Sequence, residues 1–152
     1  MAGESRRALV GIDQGRDDVT ENAEQIARSA YAAFAEGDLS SVLDLVDADF
    51  EWTFLDPSVP NPEPAVCHGR GQLAYWMSRN SSWRFSAELE EIVANGDRVL
   101  VVTRSPGIDQ LRARSTGDRN FHVLTIRDGS ITALRACRDR NEAIGLVTAG
   151  RF

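Results

Sequence analysis

The sequence predicts an α+β fold in which helices come first and an antiparallel sheet follows. Three observations carry this prediction. Apolar residues recur at helical spacing between Ile26 and Val46, and the period then changes to strand-like alternation at Phe50. Two hairpin signals, Asn95-Gly96-Asp97 and Asp128-Gly129, punctuate a strand-rich second half. Helices followed by a meander of strands argue for helices packed on one face of a curved sheet.

Residues 1–19 contain no apolar stretch of the signal-peptide kind. They are expected to form a flexible N-terminal arm ahead of a single domain over 20–152. Thr20, or Asn22 with Gln25, can cap the first helix. Ile26, Ala30 and Phe34, with Ala27 and Tyr31 beside them, form its apolar stripe. Gly37 can take the left-handed conformation that stops a helix. Asp38 can cap the next one, whose stripe is Leu39, Val42, Leu43 and Val46. Phe50, Trp52 and Phe54 then alternate with Glu51, Thr53 and Leu55, as in a strand that ends at Asp56-Pro57.

The following stretch, PSVPNPEPAVCHG, holds four of the five prolines and reads as a stiffened surface loop, neither helix nor central strand. Loops of that length inside compact domains are often functional lids. After Gly69 the pattern is helical again, with Leu73, Trp76, Met77 and Asn80 in register and Tyr75 off that stripe. Strands are expected over 83–94, 98–105, 120–127 and 130–138, with a polar loop or irregular strand over 108–118. A short helix over 139–147 ends the pattern.

Composition narrows the partners. The 152 residues suit one domain, and a chain of this length buries about 70% of its unfolded surface, so a core forms without staples. The net charge of -6 disfavours nucleic acid as a partner. No apolar run approaches a membrane span. Cys67 and Cys137 are far apart in sequence, and a reduced, cytoplasmic pair is expected. Cys67-His68 is no metal site by itself, and no other ligand cluster has zinc spacing. Phosphate loop, dinucleotide fingerprint and serine elbow are all missing from the sequence, so no cofactor is expected.

Three stretches, YAAFAEGDLSSVLDLVDADFEWTFLDP, GRGQLAYW and FHVLTIRDGSITALRACRDR, resemble the nuclear transport factor 2-like superfamily. Within it they are most similar to SnoaL-like and ketosteroid-isomerase-like proteins. The resemblance implies a cone-shaped curved antiparallel sheet with N-terminal helices closing one face, a cystatin-like α+β barrel, and a small-molecule pocket between them. It implies that His122, Leu124, Ile126, Leu134, Ala136 and Arg138 face in, and that Ile131, Ala133 and Cys137 face out. An apolar outer face in turn implies a homodimer. The family includes isomerases, polyketide cyclases, dehydratases, epoxide hydrolases and proteins without catalysis, so the fold alone does not select a reaction.

The resemblance also points to site residues. Asp56 stands where the isomerases carry a general base; read alone, it is equally an acid that starts a turn before Pro57. His122 stands where they carry a donor to an enolate, and an imidazole can fill that role or serve as acid or base near neutral pH. Their oxyanion-binding tyrosine aligns with Ala30, which leaves Tyr31 as core with its hydroxyl at the rim. Ala136 occupies the position of the catalytic aspartate of related hydrolases and cyclases, which disfavours chemistry through that acid. Arg138 and Arg104 are candidates to bind a carboxylate, phosphate or enolate, or else to form salt bridges. Trp52, Phe54, Tyr75, Trp76 and Leu124 complete the expected wall. Two functions follow: a cofactor-free isomerase, cyclase or dehydratase acting on an apolar carbonyl or polyketide-like substrate, or a non-catalytic binder or interaction module.

Overall fold

The computed structural model describes residues 11–55, 63–79, 88–105 and 118–149. The chain runs α1 (Gly11–Ala35), α2 (Leu39–Asp44), β1 (Val46–Phe54), β2 (Ala65–His68), α3 (Gly69–Arg79), β3 (Glu88–Asn95), β4 (Arg98–Arg104), β5 (Arg119–Arg127), β6 (Ser130–Cys137) and α4 (Arg140–Ala149). The strands form one curved, unclosed sheet in the order β2-β1-β6-β5-β4-β3. β1 and β6 are parallel, and the other neighbours are antiparallel.

The local signals act as their chemistry requires. Gly37 has φ 76°, and the Asp38 N–H reaches back to the Ala33 carbonyl at 2.9 Å, which closes α1 in a Schellman motif. Asp38 then caps α2: its Oδ1 accepts the Ser41 N–H at 3.2 Å. The β5–β6 hairpin turns through Asp128 at φ 52° and Gly129 at φ 79°, the conformation of a type I′ turn. Asp139 caps α4, accepting the Glu142 N–H at 2.8 Å.

Three elements differ from expectation. α1 already runs at Gly11, because nothing between there and Thr20 breaks a helix. Thr20 therefore caps nothing; its Oγ1 accepts the Gly96 N–H at 2.9 Å and ties α1 to the β3–β4 turn. The end of the proline-rich stretch is an edge strand, β2, since Ala65–His68 lies past the last proline and can donate its N–H groups. The helices also do not share one face, because α4 covers the other.

On the inner face, Phe50, Val99, Val101, Leu124, Ile126 and Ile131 pack beneath Ala23, Ile26, Ala27 and Ala30 of α1, with Val42 and Leu73. Ile131 was expected outside. A register shift between Thr125 and Ile126 in the β5–β6 pairing reverses the alternation there and turns it in. On the outer face, Leu100, Val102, Val123 and Cys137 pack beneath Ala143 and Val147 of α4. β4 is therefore buried from Arg98 to Thr103, and this two-sided burial is why its sequence reads as an unbroken apolar run.

Candidate functional site

Strand alternation sets up the site. Leu124 belongs to the inner core, so His122 and Asn120 on the same strand also face in. From above, Tyr31 on α1 reaches His122: the hydroxyl and Nδ1 are 2.7 Å apart, with ring centroids 6.1 Å apart. Ala30, one position back, is closed into the core at 6% exposure, so the tyrosine of this helix approaches the sheet from the neighbouring position. The Tyr31 hydroxyl lies against the imidazole rather than at a rim.

The protonation pattern follows from burial. Desolvation pushes the Tyr31 pKa well above the ordinary phenol value, so the side chain stays neutral. A neutral phenol can donate to Nδ1 or accept from Nδ1–H, so the direction of this bond goes with the tautomer of His122: Tyr31 donates when the ring proton is on Nε2 and accepts when it is on Nδ1.

The sheet register supplies an apolar wall. Leu134 of β6 pairs with both Trp52 of β1 and Leu124 of β5, and Ala136 pairs with His122. The Trp52 and Phe54 rings lie against each other along β1, tilted by 41° with centroids 5.1 Å apart. The methyl group of Ala136 thus stands beside the imidazole. Among the described residues no carboxylate is buried.

Other expected site residues lie elsewhere. Arg104 has the parity of Leu100 and Val102 and so belongs to the outer face, where it holds Asp118 at 2.8 Å. This pairing lowers the Asp118 pKa below its usual value and raises that of Arg104. Arg138 falls just past the end of β6, where the chain bends into α4, and lies 3.9 Å from Glu142. It is half-exposed and not aimed into a dry interior. Tyr75 is 63% exposed on α3. Trp76 lies on the same helix, but its side chain is outside the described residues, as is all of Asp56.

One group went unnoticed in the sequence. Asn120 donates through its Nδ2 to Thr103 Oγ1 and Ser105 Oγ, both at 3.0 Å. Thr103 and Ser105 are 2% and 5% exposed. The available signal was parity: Thr103 continues the line of Val99 and Val101, and Asn120 that of His122 and Leu124. Among the described residues, no three His, Cys, Asp or Glu side chains are placed to hold a metal ion. No described helix is long and apolar enough to cross a membrane.

A family model described as a SnoaL-like domain matches residues 27–134. Several solved structures share the fold. One is an NTF2-like protein from Burkholderia pseudomallei K96243, at 23% identity and TM-score 0.59, covering 84% of this chain and 98% of that one. Another, provisionally named a polyketide cyclase, comes from Xanthomonas campestris pv. campestris, at 22% identity and TM-score 0.57 with the same coverage. A third is TerC co-crystallized with polyporic acid, at 17% identity and TM-score 0.58, again over 84% of this chain and 98% of that one. No curated protein matches the chain at a significant level.

Proposed function

The chain belongs to the SnoaL-like domain family, within the nuclear transport factor 2-like superfamily, and from that premise we propose that it binds a small, largely apolar organic carbonyl compound against the inner face of its sheet. The Tyr31–His122 hydrogen bond carries this reading. It holds an imidazole in one orientation beside an apolar wall, and an imidazole N–H is a donor of the kind a carbonyl oxygen accepts. Such a donor strengthens its bond as the oxygen gains charge, which is how an enolate or tetrahedral oxyanion is stabilised. In this reading Asp56, which follows the buried Leu55 at the end of β1, moves the proton, and the reaction is an isomerisation, cyclisation or dehydration without a cofactor. The structures of TerC with polyporic acid and of the protein provisionally named a polyketide cyclase fit a substrate of polyketide-like size.

Native mass spectrometry of a ligand carried through purification tests the binding. Once a substrate is known, Asp56→Asn and His122→Ala are expected to lower kcat/KM by about 10²–10⁴-fold with folding intact. Full rate in both variants sinks the mechanism.

Ala136 favours a second reading. The residue paired with His122 carries no acid, which suits a binder that catalyses nothing. In that case a ligand retained by the wild type is released unchanged, and Asp56→Asn binds it equally well. We also propose a homodimer through the part of the outer face that α4 leaves open, around Thr53, Val66 and Ala133. Light scattering after size exclusion checks it, with a monomer as the contrary result.

A further inference from the structure

We infer that Asn95 is a site of self-modification: its side-chain amide is lost to attack by the Gly96 nitrogen, and α1 and α4 restrain that reaction from opposite faces of the sheet. Asn95-Gly96 is the only Asn-Gly pair in the sequence. Such a pair is reactive because glycine has no side chain to shield its own nitrogen. That nitrogen gives up its proton and bonds to the Asn95 side-chain carbonyl carbon. The bond to the amide nitrogen breaks, and the proton leaves with that nitrogen as ammonia. Water then opens the resulting succinimide ring to aspartate or isoaspartate. Water is the one other reactant, and Asn95 is exposed to it.

The fold opposes ring closure in three ways. Asn95 is the last residue of β3 and pairs with Arg98 across the turn. An extended backbone there keeps the side-chain carbonyl carbon away from the Gly96 nitrogen. The Gly96 N–H donates to Thr20 Oγ1 of α1 at 2.9 Å. The Asn95 Nδ2 donates to the Val147 carbonyl of α4 at 3.0 Å. Because α1 covers the inner face and α4 the outer one, a single turn is clasped from both sides. The reaction therefore proceeds through a local opening in which these restraints release together.

Conversion changes how α4 is held. Val147 lies in the last turn of that helix, where carbonyls run out of intrahelical donors, and Asn95 supplies one. A carboxylate at position 95 has no hydrogen to donate. It would face a carbonyl oxygen at the negative end of the helix dipole. Val147 is 1% exposed and packs in the same outer core as Cys137. Removing its anchor loosens α4 and opens that core.

The test incubates the full chain in mildly alkaline buffer, folded and in urea, and follows residue 95 by peptide mapping with mass spectrometry. The folded chain is expected to convert at least about tenfold more slowly than the unfolded one. Thr20→Val is expected to speed conversion of the folded chain about fivefold, the effect of one ordinary hydrogen bond, and Thr20→Ser to keep the wild-type rate. Asn95→Asp stands for the product and is expected to let iodoacetamide label Cys137, which the wild type protects. Absence of conversion in urea overturns the site itself. Equal rates in the folded and unfolded chain overturn the restraint, as does an unchanged rate in Thr20→Val. If Thr20→Val does not fold, the comparison of folded and unfolded wild type decides alone. A Cys137 as protected in Asn95→Asp as in the wild type overturns the effect on α4. If Asn95→Asp does not fold, converted wild-type protein is labelled in its place, with the same two outcomes.

Discussion

On the inner face of the sheet, polar side chains meet as neutral partners; on the outer face and its rim, they meet as ions. Tyr31 meets His122, and Asn120 meets Thr103 and Ser105, around a core shared with α1. Outside, Arg104 meets Asp118, Arg119 meets Glu90 and Arg140 meets Glu91. Burial explains the division. An ion taken out of water needs compensation that a single partner rarely supplies, whereas a hydroxyl or amide needs one good hydrogen bond. These three ion pairs stay where water reaches them, and the inner face keeps groups that can be satisfied in pairs; the exception is Arg98 on the outer face, buried and 3.6 Å from Asp97. A ligand entering the inner face therefore meets donors and acceptors but no described full charge, and this turns the expectation away from anions held by Arg104 or Arg138.

If both faces are true core, their central residues should cost the same to truncate. Leu124 is 1% exposed on the inner face and Leu100 is fully buried on the outer one. Leu124→Ala and Leu100→Ala are each expected to lose about 2–5 kcal/mol in urea unfolding, from lost burial plus the cavity left behind. A loss below about 1 kcal/mol for Leu100→Ala alone would mean that α4 is a loose cover and the outer face is surface.

Alkaline pH probes both faces at once. Burial beneath α4 pushes the Cys137 thiol from its ordinary value of 9.0 up to about 12, and burial also raises Tyr31 on the inner face. Each group prefers to stay protonated in the fold. Its contribution is complete below the unfolded pKa and is lost as pH rises toward the folded one. For Cys137 that window runs from about 9 to about 12. The urea midpoint should fall steadily above pH 9, and Cys137→Ala should flatten the first part of the fall. A level profile breaks the claim that these groups are desolvated. In a parallel check, iodoacetamide on the native protein should label the half-buried Cys67 and spare Cys137.

Much of this contrast was legible in the sequence, for local reasons. Gly37-Asp38 and Asp128-Gly129 declare their turns through backbone chemistry that needs no tertiary context. The alternation of β5 placed His122 and Leu124 on one face correctly. What failed depended on how elements pair and pack. The bulge that turns Ile131 inward arises from the way β6 pairs with β5 across the Asp128-Gly129 turn, and the alternation of β6 read alone does not show it. The outer apolar face was read as wholly open, because the weak amphipathic pattern of α4 gave no sign that it folds back over Leu100 and Val123; a dimer would have to use the part of that face left open. Asn120 was passed over because an asparagine at a strand end reads as punctuation. Only its cross-strand neighbours Thr103 and Ser105 make it part of a polar strip.

Tyr31→Phe sharpens the inner half of the comparison. It removes one hydroxyl from a partly buried pair and takes that partner from His122 Nδ1. The expected cost is about 1 kcal/mol, a shift of a few degrees in Tm. It should also relax the ring, so that ligand affinity falls more than stability does. An unchanged affinity would mean that Tyr31 serves packing and that His122 is oriented by its other neighbours.

The smallest effect is expected outside, at Arg140. Its guanidinium makes two bonds to Glu91, at 2.6 and 3.0 Å, and this holds the Glu91 carboxyl below its usual pKa. The Arg140 side chain is half-exposed and that of Glu91 about a third exposed, and solvent screening leaves surface pairs of this kind a small contribution. Arg140 also begins α4, where the helix dipole favours the acidic Glu142 and disfavours a cation. The two effects oppose each other. Arg140→Ala should therefore leave the urea midpoint nearly unchanged, and Glu91→Gln, which leaves the cation at the helix start without its Glu91 partner, should lower it more than Arg140→Ala. Raising salt should shrink both effects, since they are exposed to screening, while the cost of Tyr31→Phe stays the same. If salt instead moved the Tyr31→Phe cost and left Arg140→Ala untouched, the division between a neutral inside and an ionic outside would be wrong.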